Sequence, residues 1–199
     1  MTDSTAEHVG SPDPGGMIGG LPPIGVDIPC GMYAADVPLE LNILGTLTLD
    51  FRGGINVCVR TSNTEGLVLE IQGFRVEADT SPSTPGAGTL LALAMSNATI
   101  TPLSVLQIRE AGGPELLLHL SLTAEVIDKA TGETITTLAT DPTKYATLRA
   151  TNLTSFPPAD QLCTLQEPVR LYASQDGTTQ MDNPAGELRA FDVIVNQSL

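Results

Sequence analysis

From residue 38 onward apolar and polar residues alternate one by one, and a chain with a two-residue hydrophobic period is restricted to β-sheet. Leu39, Leu41 and Ile43, then Leu47, Leu49 and Phe51, share one parity, while Glu40, Asn42, Thr46, Thr48 and Asp50 share the other. This predicts one half-buried strand over residues 39 to 51, with Gly45 in its middle as a place to bend. A turn at Gly53-Gly54 then leads to Ile55, Val57 and Val59 as the second arm of a hairpin, and Asn63-Thr64-Glu65-Gly66 turns into a third strand. In that third strand the parity flips at Gly73, from Leu67, Leu69 and Ile71 to Phe74, Val76 and Ala78. One extra residue there restores the apolar face, which is the action of a β-bulge.

The segment Thr89 to Met95 is apolar on both faces and predicts a strand buried on both sides. Further strands are expected over 103–110, 115–128, 133–140, 145–154, 163–173 and 186–197, punctuated by Pro114, Asp128 to Gly132, Asp141-Pro142 and Asp176-Gly177. Beyond one turn at residues 157–162, helical periodicity is lacking. The expected fold is all-β: an antiparallel β-barrel of about eight to ten strands, with a β-sandwich as the alternative, because long strands with glycine kinks and a bulge curve toward closure. Residues 1–29, rich in Gly and Pro and poor in apolar content, read as a flexible N-terminal arm; residues 30–199 read as the single barrel domain. The apolar half of the arm, through Met17, Ile18, Leu21 and Ile24, has the character of a lid over a hydrophobic opening.

Charge narrows the partners. With 23 acidic against 9 basic residues the net charge is -14, so nucleic acid and anionic membranes are repelled. Aromatic residues make up 4% with no Trp, which removes the stacking platforms of sugar and single-strand binders. Cys30, Cys58 and Cys163 are odd in number and widely spaced, so they read as free thiols of a reducing, cytoplasmic compartment. The acidic, polar N-terminus does not read as an export signal, and seven arginines against two lysines carry the flavour of a GC-rich bacterial genome.

Few residues offer chemistry. His8 lies in the arm, and His119 shares parity with Ser121, Thr123 and Glu125, the outward set, so neither a Ser-His-Asp triad nor a histidine metal site is indicated, and no metal is expected. Glu40, Asp50, Glu70 and Glu77 read as a solvated outer face. Around Arg149 the parity does not separate inside from outside, so Arg149 and Tyr145 are candidates to point inward and hold a polar ligand group. What remains is a barrel with an inner face rich in aliphatic residues, of a size that holds one small apolar ligand or is filled by its own side chains.

A small all-β barrel with an apolar N-terminal arm, MIGGLPPIGVDIP, and alternating strands resembles the spirotetronate- and spirotetramate-forming cyclases, the Diels–Alderase barrels of polyketide pathways. The resemblance covers residues 17–199 at the level of architecture and carries no residue across by position. It implies a cofactor-independent cyclase that folds a linear apolar polyene and promotes an intramolecular [4+2] cycloaddition. Such a step needs donors to a carbonyl rather than a nucleophile, and Tyr33, Tyr145, Tyr172 and Arg149 are the candidate catalytic residues. Leu41, Ile43, Leu69, Ile71, Phe74, Met95, Leu118, Leu120 and Phe191 are the candidate substrate wall. A non-catalytic carrier of an apolar metabolite and a structural or assembly β protein are the alternatives, and a homodimer is compatible with each.

Overall fold

The structure, a computed structural model, describes residues 20–81, 86–96, 103–108, 113–175 and 178–197. Its strands are β1 (Asp27–Leu41), β2 (Gly45–Asn63), β3 (Gly66–Asp79), β4 (Thr89–Met95), β5 (Ser104–Gln107), β6 (Glu115–Leu120) and β7 (Leu122–Asp128). They continue with β8 (Thr134–Thr140), β9 (Ala146–Thr151), β10 (Gln161–Leu165), β11 (Val169–Gln175), β12 (Thr178–Leu188) and β13 (Asp192–Gln197). All thirteen belong to one antiparallel sheet that closes into a ring.

The register resolves this ring into eight staves. β1, β2 and β3 run the length of the barrel, and the other ten strands stand end to end in five pairs. β4 and β5 both pair with β3; β7 and β6 pair with them in turn; β8 and β9 follow, then β11 and β10, then β12 and β13. β12 and β13 both return to β1, through Leu39↔Leu188 and Met32↔Val195. The result is an up-and-down meander in which every stave neighbours the next in sequence and no stave is left as an edge. Closure decides for the barrel over the sandwich.

Local physics explains where the chain departs from simple alternation. Residues 39–51 are not one strand: β1 ends at Leu41, the chain turns through Asn42 to Leu44, and β2 starts at Gly45. Leu44 N–H donates to Leu41 O at 3.1 Å, and the Asn42 amide donates to Pro184 O across the barrel end. The pair Gly53-Gly54 is correspondingly not a turn but the middle of β2, where a Cβ on Gly53 would collide with the Arg75 carbonyl and one on Gly54 would lie 2.8 Å from Cys30 O. Two glycines here allow three sheet strands to approach as they bend. A second bend lies within β1: Ile28, Cys30, Met32 and Ala34 face inward on one parity, Val37, Leu39 and Leu41 on the other. Between them the register slips, Asp36 takes φ 53°, and its amide is satisfied by Asp50 Oδ1 at 2.9 Å. The bulge expected at Gly73 is present, with Asn56↔Gly73 followed by Val57↔Ile71.

Residues 27–29 of the expected arm therefore belong to β1. Residues 25 and 26 extend its pairing, Gly25 N–H donating to Val59 O at 2.8 Å and Val59 N–H to Val26 O at 3.0 Å. Of the expected lid, Leu21 packs on the core, Ile24 is 63% exposed, and Met17 and Ile18 lie outside the described residues.

Inside, the aliphatic faces of all staves merge into one core. At its waist Phe191 meets Phe51 and Phe74 edge-on, with ring centroids 6.2 and 6.5 Å apart. Phe191 itself lies in one of the strand breaks, between β12 and β13.

Candidate functional site

Two of those breaks lie side by side. The β8/β9 stave is interrupted at residues 141–145 and its neighbour, the β10/β11 stave, at 166–168. Each break carries a proline, Pro142 and Pro168, which has no N–H to give to a ladder. The wall therefore parts into a groove of about 570 Å³, within the size range of small-molecule sites. Thr140 and Val169, which belong to the barrel's packing, lie in its lining, together with Asp141, Lys144, Tyr145 and Tyr172. A shallower hollow of about 350 Å³ lies beside Arg170 and Arg189, but Arg189 there is already held by Glu40 and Glu187.

The groove's rim is shaped by its own turn. Asp141 Oδ1 accepts from Thr143 N–H at 2.8 Å and from the Thr143 hydroxyl at 2.7 Å, and these bonds, the hydroxyl first, hold its carboxyl below the usual aspartate range, with Lys144 adding to the effect. Tyr145 is fixed from behind by His119, ring edge to ring face at 4.7 Å between centroids. His119 Nδ1 lies 3.1 Å from the Thr147 hydroxyl, its backbone N–H donates to Ser104 Oγ at 2.9 Å, and burial keeps its imidazole below the ordinary histidine value, favouring the neutral ring. From the buried Thr140 a run of hydroxyls passes sideways to neighbouring breaks, Thr140 to Ser121 at 3.2 Å and Ser121 to Ser96 at 2.6 Å.

Of the four candidate donors, Tyr145 and Tyr172 thus share one groove. Tyr33 stands elsewhere, on the outer face of β1, with the Arg52 guanidinium 5.3 Å above its ring. Arg149 does not point inward: its neighbours Leu148 and Ala150 take the core, and its Nε donates outside to the buried Glu115 carboxylate at 2.5 Å. Leu41, Leu69, Phe74, Leu118, Leu120 and Phe191 are buried wall, and Ile71 and Met95 are half-buried at the margin of the core. Ile43 leaves this set, 59% exposed, because the turn begins one residue before it.

On the barrel axis, toward the end where β1 begins, lies a cavity of only about 10 Å³, lined by Leu69 and Leu118 among others. Its lining includes two residues that alternation did not single out, Phe156 and Pro158 of the β9–β10 loop. The available signal was a lone Phe followed by two prolines in an otherwise polar connection. Cys30 also lines it, and burial pushes that thiol up to about 11 and Cys163, with Cys30 adding, up to about 12. Among the described residues the three cysteines are free and buried.

Fold and groove together define a closed meander barrel whose wall is opened at one level. No protein-family model matches the chain, and no curated protein matches it by sequence. A solved structure does share the fold: DynF from the dynemicin biosynthesis pathway of Micromonospora chersina, at a TM-score of 0.66, covering 100% of this chain and 93% of that one. The two are 14% identical, so the likeness is one of fold.

Proposed function

We propose that this protein binds an extended apolar intermediate of a natural-product pathway at the waist groove and promotes its cyclisation without a cofactor. The observation that carries the reading is the convergence of Tyr145 and Tyr172 on a groove reaching down to the barrel's packed wall. The fold likeness to DynF, a protein of the dynemicin biosynthesis pathway, supports the setting. Pro168 and Val169 give an apolar strip to a groove whose lining is otherwise mostly polar, and Tyr145 and Tyr172 give it phenolic O–H donors for a carbonyl.

The reaction class that suits such a site is an intramolecular [4+2] cycloaddition. Two carbon–carbon σ bonds form, three π bonds become one, no proton moves, and the product is an isomer of the substrate. Holding diene and dienophile in a near-attack geometry can supply about 7–11 kcal/mol of the barrier reduction. A hydrogen bond to the dienophile carbonyl that strengthens in the transition state adds about 1.4 kcal/mol, tenfold in rate, per donor.

The test is incubation of the purified protein with linear polyenes bearing an internal activated alkene, followed by chromatography of species of unchanged mass. Cyclised isomer formed by the wild type, with kcat lowered about tenfold in Tyr145→Phe or Tyr172→Phe, is the expected result. Tight binding with the polyene returned unchanged would replace the cyclase with a carrier. Deleting residues 1–19 examines the lid: unchanged turnover would remove the arm from the mechanism.

A further inference from the structure

We infer that the base of the barrel is a second ligand site, taking an uncharged apolar chain or ring in the place now filled by Phe156. It is separate from the groove and does not depend on the cyclase reading. The strands do not close this end by themselves. It is closed by the β9–β10 loop, residues 152–160, which turns Leu153, Phe156 and Pro158 into the opening. Phe156 and Pro158 then meet side chains from β1, β2, β3, β6 and β13 around the axial cavity.

The loop is held at its two ends rather than along its length. Leu153 N–H donates to Pro114 O at 3.2 Å, and Asn196 Nδ2 donates to Asp160 Oδ1 at 2.8 Å. Among the described residues, no hydrogen bond joins residues 154–159 to the barrel; the one within the loop runs from the Ser155 hydroxyl to Pro157 O. Asn152 and Asp160, at the two ends, take left-handed φ values of 57° and 50°, so the chain reverses sharply on either side of the plug. What keeps Phe156 in place is therefore apolar contact, which an apolar ligand can replace in kind.

The lining sets the ligand class. Beside Phe156 and Pro158 it is Cys30, Ile55, Val57, Leu69 and their aliphatic neighbours, with no amide, hydroxyl or charge. A polar ligand group would lose its hydration there without a partner, whereas a hydrocarbon would not. At about 10 Å³ the cavity is smaller than a ligand by an order of magnitude, so binding requires the phenyl ring to leave.

Because the chain contains no Trp, Phe156→Trp places a single reporter in the plug. Titration of this variant with n-decanol, an uncharged chain, is expected to move its emission from the blue of a buried indole to the red of a hydrated one, saturably. In parallel, Phe156→Ala is expected to bind the neutral probe N-phenyl-1-naphthylamine at least tenfold more tightly than the wild type, with Phe156→Leu as a milder variant should the alanine fail to fold. Emission that stays blue while decanol displaces the naphthylamine probe, or no gain in either truncation, would overturn the site. Both titrations are repeated in Tyr145→Phe/Tyr172→Phe. Loss of binding there would place the probe in the groove and refute the base site, while unchanged binding beside lost cyclisation would leave it standing alone.

Discussion

Replacing Phe191 with alanine removes the ring on which the barrel's waist is packed. The residue is 2% exposed and touches Phe51 and Phe74 with its ring nearly perpendicular to both, at 75° and 80°. It occupies the break between β12 and β13, where its carbonyl still accepts from Leu165 N–H at 3.2 Å, so the backbone has reason to stay in place when the side chain is cut back. Large-to-small changes at such sites cost about 3–5 kcal/mol, against about 5–15 kcal/mol of total stability for a typical domain. Phe191→Leu keeps most of the apolar volume and forfeits mainly the two edge-to-face contacts, at about 0.5–1.5 kcal/mol each. Equilibrium urea unfolding followed by far-ultraviolet circular dichroism measures both, and double-mutant cycles with Phe51→Leu and Phe74→Leu isolate the ring pairs. A Phe191→Leu protein within 0.3 kcal/mol of wild type, with both cycles additive to within about 0.3 kcal/mol, would refute the packed waist.

Gly66 combines φ 139° with a backbone approach in which a Cβ would run into the Leu106 carbonyl, whereas Gly132, at φ 74°, has open space around it. Gly66→Ala should therefore cost about 2–4 kcal/mol and Gly132→Ala about 1 kcal/mol by urea midpoint; equal costs would mean that β5 does not press on the β2–β3 turn. The thiols set an alkaline limit: folded Cys30 and Cys163 keep their protons up to about 11 and 12, while the unfolded chain releases them near 9.0. Their contribution is whole below that lower value and falls as pH rises through the window, because the folded state then binds more protons than the unfolded one. Stability measured from pH 8 to 11 should decline, and less steeply in Cys30→Ala/Cys163→Ala; an identical slope in the double variant would remove the thiols as the cause.

The alternation read along the chain located strand after strand, since a half-buried sheet leaves a two-residue period wherever one face is wet. What it could not read were places where geometry rather than polarity decides. Leu41 and Leu47 keep the same parity through a tight hairpin, so the turn at Asn42 to Leu44 left no mark, and Gly53-Gly54 looks like a turn because close approach and reversal call for the same residue. The bulge at Gly73 was legible because both flanks are strongly patterned; the one at Asp36 was not, because Cys30, Gly31 and Ala34 to Ala35 carry too little contrast. For the site, composition pointed to tyrosines because little else could donate, but only the register shows which of them meet.

A ring of strands has no edge on which a ligand could add, so access is confined to its ends and to defects in its wall. In this chain the defects are aligned. The breaks that carry Pro142 and Pro168 interrupt neighbouring staves, and both breaks line the groove. Alignment also explains why the interior can be filled and yet adjoin a site. The three phenylalanines pack edge to face inside the barrel, and Thr140 and Val169 line the groove while also belonging to the packed wall. The base follows a different rule, closed by side chains on a loop that the strands do not need. An apolar ligand competing with Phe156 leaves the ladder intact, whereas one forcing its way through the waist would have to part Phe191 from both partners. On the two readings proposed above, the openings therefore differ in what they cost to use, the base suiting a hydrocarbon and the groove a carbonyl.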